Sequence, residues 1–147
     1  MYRKKIYKKE GGFTLVELLI VMVILGLLAA LVGPKMFGKV GKSKQKAAKA
    51  QIAYFETALD MYHLDVGKYP TTGQGLKVLR EKPTDIDRWD GPYLKKEIPL
   101  DPWGNDYEYR SPSDHGEYEI VSLGADGNAG GEDEDADVVS WTDSLIN

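Results

Sequence analysis

Cysteine is absent from the 147 residues of this sequence, and histidine occurs only twice. The absence of cysteine excludes disulfide bonds and thiolate chemistry, and two histidines far apart in sequence argue against a zinc site. The G-x-S-x-G motif of serine hydrolases is also missing, and no pairing of a nucleophile with a base stands out. We therefore expect a protein that is not an enzyme, and whose small domain needs a source of stability other than disulfides.

Basic residues are unevenly distributed along the chain. Of the 19 lysine and arginine residues and the 23 aspartate and glutamate residues, five basic residues and one acid lie in residues 1–12. Beyond residue 12 the chain holds 14 basic and 22 acidic residues. Nucleic-acid binding requires a basic surface on the folded part of a protein, so we expect no nucleic-acid partner. A basic tip is typical instead of the cytoplasmic flank of a membrane span.

A long apolar run follows the basic tip. It extends from Phe13 to Pro34 and contains one charged residue, Glu17. A helix of this length would be about 33 Å long, which matches the hydrocarbon core of a bilayer. The run is longer than the apolar core of a secretory signal peptide, and composition alone favours an uncleaved membrane anchor. The basic tip predicts that the C-terminal domain lies across the membrane, in the periplasm of a Gram-negative cell.

The remaining residues, 35–147, predict one small α+β domain. Its first part shows apolar residues spaced four and three apart on one face of an amphipathic helix that reaches to about residue 64. These residues are Ala48, Ile52, Phe55, Leu59 and Tyr62. Gly33 and Pro34 are expected to kink or loosen this helix without necessarily ending it. Gly67 and Pro70 are expected to end this helix. Turn-forming residues crowd the loop 65–104, which holds a short helix near residues 75–81, and an antiparallel hairpin begins the segment 105–147.

The most specific motif is Gly12-Phe13-Thr14-Leu15-Val16-Glu17, which joins the basic tip to the apolar run. A carboxylate inside a span costs roughly 2.5–3.5 kcal/mol, although a position so near the tip also lets Glu17 reach the interface. The motif resembles the prepilin signature of type IV pilins and their relatives. The resemblance implies that a prepilin peptidase cuts after Gly12, that Phe13 becomes N-methylated, and that Glu17 acts in assembly.

The charge on Glu17 is physically compatible with such a role. Cleavage would create a cationic amine at Phe13, and a subunit entering a bundle of helices would bring that amine close to Glu17 of a neighbour. Pairing offsets the cost of burying either charge, whereas removal of one partner strands the other. We therefore expect this pair to set the register of helix packing.

Four further segments narrow the resemblance to the major pseudopilins of type II secretion systems. They are residues 65–76, 91–94, 99–104 and 122–127. The likeness runs from about residue 11 to Trp141, which is nearly the whole chain. Type IV pilins usually close a C-terminal loop with a disulfide, which this chain cannot form. The resemblance therefore favours a pseudopilin over a type IV pilin or a minor pilus subunit.

An acidic run, DGNAGGEDEDAD, occupies residues 126–137. A bare acidic run is usually solvated and disordered, but this one follows a predicted strand and leads into Val138 and Val139. We therefore expect it to close a loop, and its many oxygen atoms suit calcium. In the resembled family this loop binds one calcium ion. The resemblance implies the carboxylates of Asp126, Asp135 and Asp137 and the backbone carbonyls of Leu123 and Asn128 as ligands, and Asp133 could replace Asp135.

The resemblance implies a pilin-like α+β fold, with a long N-terminal helix packed on a small antiparallel sheet. We expect a cleaved leader at 1–12, a transmembrane and polymerisation helix at 13–34, and a periplasmic domain at 35–147. The chain would polymerise into the periplasmic pseudopilus that drives folded proteins across the outer membrane. Its partners would be further copies of itself, minor pseudopilins, an inner-membrane assembly platform and the prepilin peptidase. A membrane-anchored, calcium-dependent binding or hydrolytic domain is the alternative from another class.

Overall fold

The computed structural model describes residues 11–141, except for the side chains of residues 34–37. Most of the predicted leader, residues 1–10, and the end of the predicted domain, residues 142–147, lie outside the described residues. The chain divides into two compact units, residues 1–37 and residues 38–147. Each unit is described by itself below.

Within residues 11–141, one α-helix and three short strands make up most of the regular structure. The helix α1 comprises Leu15–Val66, and the strands are β1 (Glu108–Arg110), β2 (Glu119–Ser122) and β3 (Val138–Val139). Two short 3-10 helices lie at Leu76–Leu79 and Asp133–Asp135. This architecture confirms the predicted α+β class and the continuation of the helix through Gly33 and Pro34.

The first unit consists mainly of the apolar half of α1. Its large apolar side chains from Leu15 to Val32 are exposed by 49–79%. Within the described residues, α1 is the helix long and apolar enough to cross a membrane, judged by length and composition. Such a surface is far larger than the apolar patches that soluble monomers expose, so it requires a lipid or protein environment.

The second unit is built on the other half of α1. The predicted stripe is confirmed, because Ala48, Ile52, Phe55, Leu59 and Tyr62 are all buried. They form the core together with Ala58 of the same helix and with residues from the long loop and from the sheet. The loop and sheet residues are Leu76, Val78, Leu79, Ile86, Leu94, Tyr109 and Ile120. The amphipathic face therefore orders a loop that has little regular structure of its own.

Helix α1 ends where the sequence predicts. Gly67 adopts a left-handed conformation with φ of 85°, and its backbone N–H donates a 2.8 Å hydrogen bond to the carbonyl of His63. A glycine in this position satisfies a carbonyl of the last turn without the steric cost that a side chain would bring. The chain then turns into the loop that carries the first 3-10 helix, close to the short helix expected at 75–81.

The sheet is antiparallel throughout, in the order β1-β2-β3. The predicted hairpin is confirmed, with Tyr109 opposite Ile120. Strand β3 extends the sheet beyond that hairpin, with Val138 opposite Ser122. Simple alternation along β2 would turn Glu119 outward, yet its exposed fraction is 8%. Its carboxylate accepts a 2.8 Å hydrogen bond from His115 Nδ1, which compensates for the burial.

Aromatic side chains fill the space between α1, the loop and the sheet. The phenol of the buried Tyr109 donates a 2.8 Å hydrogen bond to the carbonyl of Pro70. Its ring stacks near Tyr118, with ring centroids 6.1 Å apart, and Tyr118 in turn contacts Tyr69 at 4.7 Å. Burial raises the pKa of Tyr69 and of Tyr109 to about 12. The folded state therefore keeps these phenols neutral well above their ordinary range.

We predict that the fold loses stability as the pH rises from about 10 to about 12. A phenol in the unfolded chain ionises near pH 10, so in this window the folded state binds more protons than the unfolded state. The stabilisation is thus complete below pH 10 and declines above it. The urea midpoint of the full chain in detergent should fall over this range. The fall should be smaller for Tyr109→Phe and unchanged for the control Tyr54→Phe on the exposed face of α1. Equal losses in Tyr109→Phe and the unsubstituted chain would contradict this account.

Candidate functional site

The predicted processing site lies in a non-helical segment just before α1. Gly11, Gly12, Phe13 and Thr14 are all exposed, and the Phe13 side chain is exposed by 86%. A Cβ atom added at Gly12 would meet no other atom within 4 Å. Peptidases act on accessible, non-helical backbone, so this segment has the form that cleavage between Gly12 and Phe13 requires.

Glu17 belongs to a capping box that the sequence reading missed. The backbone N–H and the hydroxyl of Thr14 donate hydrogen bonds of 2.8 and 2.9 Å to Glu17 Oε2, and Glu17 N–H donates to Thr14 Oγ1 at 3.2 Å. The signal is a threonine followed three residues later by glutamate before an apolar run. The carboxylate is therefore turned back toward the start of α1, near the residue that cleavage would make terminal.

The acidic run forms a folded loop between β2 and β3. Ala125 N–H donates a 2.9 Å hydrogen bond to the carbonyl of Glu134, which closes the loop across its base. Gly124 and Gly131 have φ of 67° and 89°, and a Cβ at either position would lie 2.6 Å from the carbonyl oxygen of Asp135. Because glycine alone allows this approach, the two glycines let the loop wrap around the backbone at Asp135.

The predicted calcium ligands are distributed over this loop in two groups. Asp126 Oδ1 accepts a 3.0 Å hydrogen bond from Asn128 N–H. Asp137 Oδ2 accepts a 2.9 Å hydrogen bond from Gly130 N–H. Within residues 11–141, no three acidic or histidine side chains lie close enough together to hold a metal ion. The structure thus brings Asp126 and Asn128 together, but it does not gather the side chains of Asp126, Asp135 and Asp137 into one cluster.

One oxygen atom in the loop nevertheless fits a cation. Asp137 Oδ1 is buried and has no hydrogen-bond partner within the described part of the chain. A buried carboxylate oxygen is costly unless a donor or a cation compensates it. The other predicted donors are carboxylates and backbone carbonyls, which are the hard oxygen ligands that calcium takes. Asp133 and Asp135 are both exposed, so burial does not distinguish them as ligands, and the hydrogen bond from Gln45 Nε2 involves only the backbone carbonyl of Asp133.

The base of the loop is held by residues that the sequence reading did not select. Asp101, which is 4% exposed, accepts a 2.6 Å hydrogen bond from the Ser122 hydroxyl. Its other oxygen accepts hydrogen bonds from the N–H groups of Trp103 and Asn105, at 3.0 and 2.8 Å. Asn105 in turn donates to the carbonyl of Gly124 at 3.0 Å. The signal available in the sequence is an aspartate in a turn-forming segment, where its carboxylate can bond the backbone two residues on.

Comparison with known proteins gives consistent results over both units. Residues 35–141 match the family model described as type II secretion system (T2SS), protein G. Residues 7–33 match the model described as a prokaryotic N-terminal methylation motif. The type II secretion system core protein G of Vibrio cholerae is 48% identical over 137 residues, which cover 91% of this chain and 93% of that protein.

A second sequence relative and one solved structure are also similar to this chain. The core protein G of Pseudomonas aeruginosa is 48% identical over 139 residues, covering 91% of this chain and 96% of the relative. Among solved structures, the major pseudopilin from the type 2 secretion system of enterohaemorrhagic Escherichia coli matches with a TM-score of 0.62 and 38% identity. The match covers 74% of this chain and 96% of that structure.

We predict that Asp101→Ala destabilises the second unit by about 2–4 kcal/mol, because it leaves a buried hydroxyl and two backbone N–H groups without their acceptor. Thermal unfolding of the full chain in detergent measures the loss. The matched control is Asp106→Ala, which removes an exposed carboxylate in the same segment and should change stability by no more than about 0.5 kcal/mol. Equal effects of the two substitutions would show that Asp101 does not anchor the loop.

Proposed function

The chain belongs to the type II secretion system protein G family and is a structural subunit of a pseudopilus, and from this premise we propose how its parts serve assembly. Residues 1–12 are a leader that a prepilin peptidase removes, and Phe13 becomes the methylated first residue. The mature chain is held in the inner membrane by residues 13–34, with residues 35–147 in the periplasm. It then polymerises with further copies, with the help of minor pseudopilins and an inner-membrane assembly platform.

The main support for this proposal is that the apolar half of α1 is exposed. The large apolar side chains from Leu15 to Val32 are exposed by about half or more, and burial of each is worth about 1.5–3 kcal/mol. A bilayer covers them before assembly, and neighbouring copies cover them in the fibre. Transfer from lipid to protein adds no hydrophobic gain, so close packing and polar pairing must favour the fibre. Binding between copies supplies the free energy that favours the fibre, and it requires no catalytic group of this chain.

Glu17 supplies the polar pairing in this proposal. Its carboxylate already accepts two hydrogen bonds from Thr14, which hold it at the start of α1. When Phe13 carries a charged amine, that amine in one copy and Glu17 in another neutralise each other inside the fibre. The pairing works in one register only, so it selects the stagger between neighbouring helices. A pilus subunit would use the same pairing, and the protein G family assignment favours the pseudopilus.

We predict that Glu17→Gln is cleaved after Gly12 but assembles poorly. Glutamine can still accept hydrogen bonds from Thr14, while it cannot neutralise an amine. The buried charge of the neighbour would then lack its partner, at a cost of about 3–5 kcal/mol. The measurements are the intact mass of the membrane-extracted chain and the yield of sheared fibres. Thr14→Val is the matched control, since it removes the threonine hydroxyl and leaves the charge. Normal fibre yield from Glu17→Gln would contradict the pairing.

We also propose that the acidic loop holds one calcium ion, supported by the buried oxygen of Asp137. The carboxylates of Asp126, Asp135 and Asp137 and the carbonyls of Leu123 and Asn128 would hold it, with Asp133 as the alternative to Asp135. The two positive charges of the ion would offset part of the repulsion among the six acids of the run, and the ion would join the two ends of the loop next to β2 and β3. It would thereby provide the stability that a chain without cysteine cannot obtain from a disulfide.

We predict that calcium raises the melting temperature of the full chain in detergent, by on the order of 10 °C at one hundred times the dissociation constant. The reference sample contains a chelator. Asp137→Asn should abolish most of the increase, and Asp87→Asn, an exposed substitution in the loop 65–104, should leave it intact. An identical melting curve with calcium and with chelator would rule out a structural calcium site.

A further inference from the structure

A groove with three lysines in its lining lies between α1 and the edge strand β3, entirely within the second unit. Its volume is about 440 Å³. The lining residues are Lys42, Gln45, Lys46, Lys49, Asp137, Val138 and Val139. The groove thus combines ammonium groups with an apolar floor from β3. We propose that this groove binds the phosphate headgroup of an anionic lipid in the bilayer that the same chain spans.

The lysines of the groove belong to a strongly basic segment. Residues 35–49 contain six lysines and no acid. In the periplasmic orientation they lie on the side of the span from which the positive-inside tendency depletes lysine and arginine. The presence of six lysines on that side of the membrane therefore indicates a specific role. Clustered lysines next to a span attract anionic lipids, and each contributes to binding at the membrane surface.

The shape of the groove suits a lipid better than a small anion. A lysine stem can lie along apolar surface while its ammonium group reaches a phosphate. Val138 and Val139 offer an apolar floor, which fits the glycerol and the first methylene groups of a lipid. Asp137 is the one acid of the lining, and its Oδ2 is engaged by Gly130 N–H. The lysines therefore dominate the charge of the groove.

The short connection to the proposed span limits how far the groove can lie from the leaflet. Lys42 lies ten positions after Val32, which is at the end of the exposed apolar side chains. Even a fully extended backbone of ten residues spans at most about 35 Å, so Val32 and Lys42 lie no further apart than that. The proposal rests on the proposed insertion of residues 13–34 in the membrane, which tethers the groove within that distance of the span.

An acidic segment of a second copy is the other possible occupant, and the contacts of the acidic loop disfavour it. The carbonyl of Asp133 accepts a hydrogen bond from Gln45 Nε2 of the same chain. A Cβ atom at Gly41 would overlap the side chain of Glu134, so the loop also lies directly against α1 there. The most acidic stretch of each copy is thus already engaged by its own helix.

The test is a titration of the full-length chain in detergent with dioleoyl-phosphatidylglycerol, followed by native mass spectrometry. Dioleoyl-phosphatidylcholine is the neutral reference. The double variant Lys42→Gln and Lys46→Gln should weaken phosphatidylglycerol binding roughly thirtyfold, about fivefold for each lysine. The matched control, Lys39→Gln and Lys44→Gln, removes the same charge from the same segment outside the groove. It should change the affinity by less than about threefold, because its lysines act only at longer range.

Several results would overturn the proposal. Equal losses in the two double variants would indicate unspecific attraction by the basic segment, and equal affinity for both lipids would exclude phosphate recognition. Displacement of the lipid by equimolar inorganic phosphate would make a free anion the ligand. If the groove variant kept its lipid affinity but formed no fibres, a second copy would be the occupant. A chain that carbonate extracts from native membranes would instead contradict the proposed membrane insertion, so the two failures are distinguishable.

Discussion

The apolar half of α1 has no covering partner within the described part of its own chain, and the rest of the structure depends on this constraint. A helix with exposed apolar side chains from Leu15 to Val32 is not stable in water as a monomer. It must enter a bilayer or a bundle of like helices. In the proposed function, the basic leader directs the helix to the bilayer, and removal of that leader prepares it for the bundle. In this proposal the apolar half of α1 exchanges lipid contacts for protein contacts during assembly.

The second unit shows how a small domain without cysteine is kept together. The buried stripe on α1 supplies the central core, and aromatic rings from the loop and the sheet pack around it. Asp101 then fixes the turn at Trp103 to the end of β2 through Ser122. The acidic loop is the remaining weak point, because its carboxylates repel each other and Asp137 buries an oxygen without a partner among the described residues. A cation there would complete the set of stabilising contacts.

The sequence predicted best what depends on periodicity and local chemistry. The spacing of Ala48 to Tyr62 sufficed for the helix face, and Gly67 sufficed for its end. Two of the misses had signals in the sequence, namely the Thr14–Glu17 capping box and the aspartate turn at Asp101. Strand β3 was missed because a pair of valines is too short to show alternation. The placement of the predicted calcium ligands depends on rotamers and on long-range loop closure, which no local pattern encodes.

The central claim is that residues 13–34 are buried among copies of the same chain in the fibre. Because the chain has no cysteine, Leu25→Cys provides a single reporter within this segment, and Lys95→Cys provides an exposed control. Both variants would be sheared from cells as fibres and treated with a membrane-impermeant maleimide, before and after dissolution in detergent. We expect Leu25→Cys to react only after dissolution and Lys95→Cys to react in both states. Equal reaction of Leu25→Cys in intact and dissolved fibres would contradict the account.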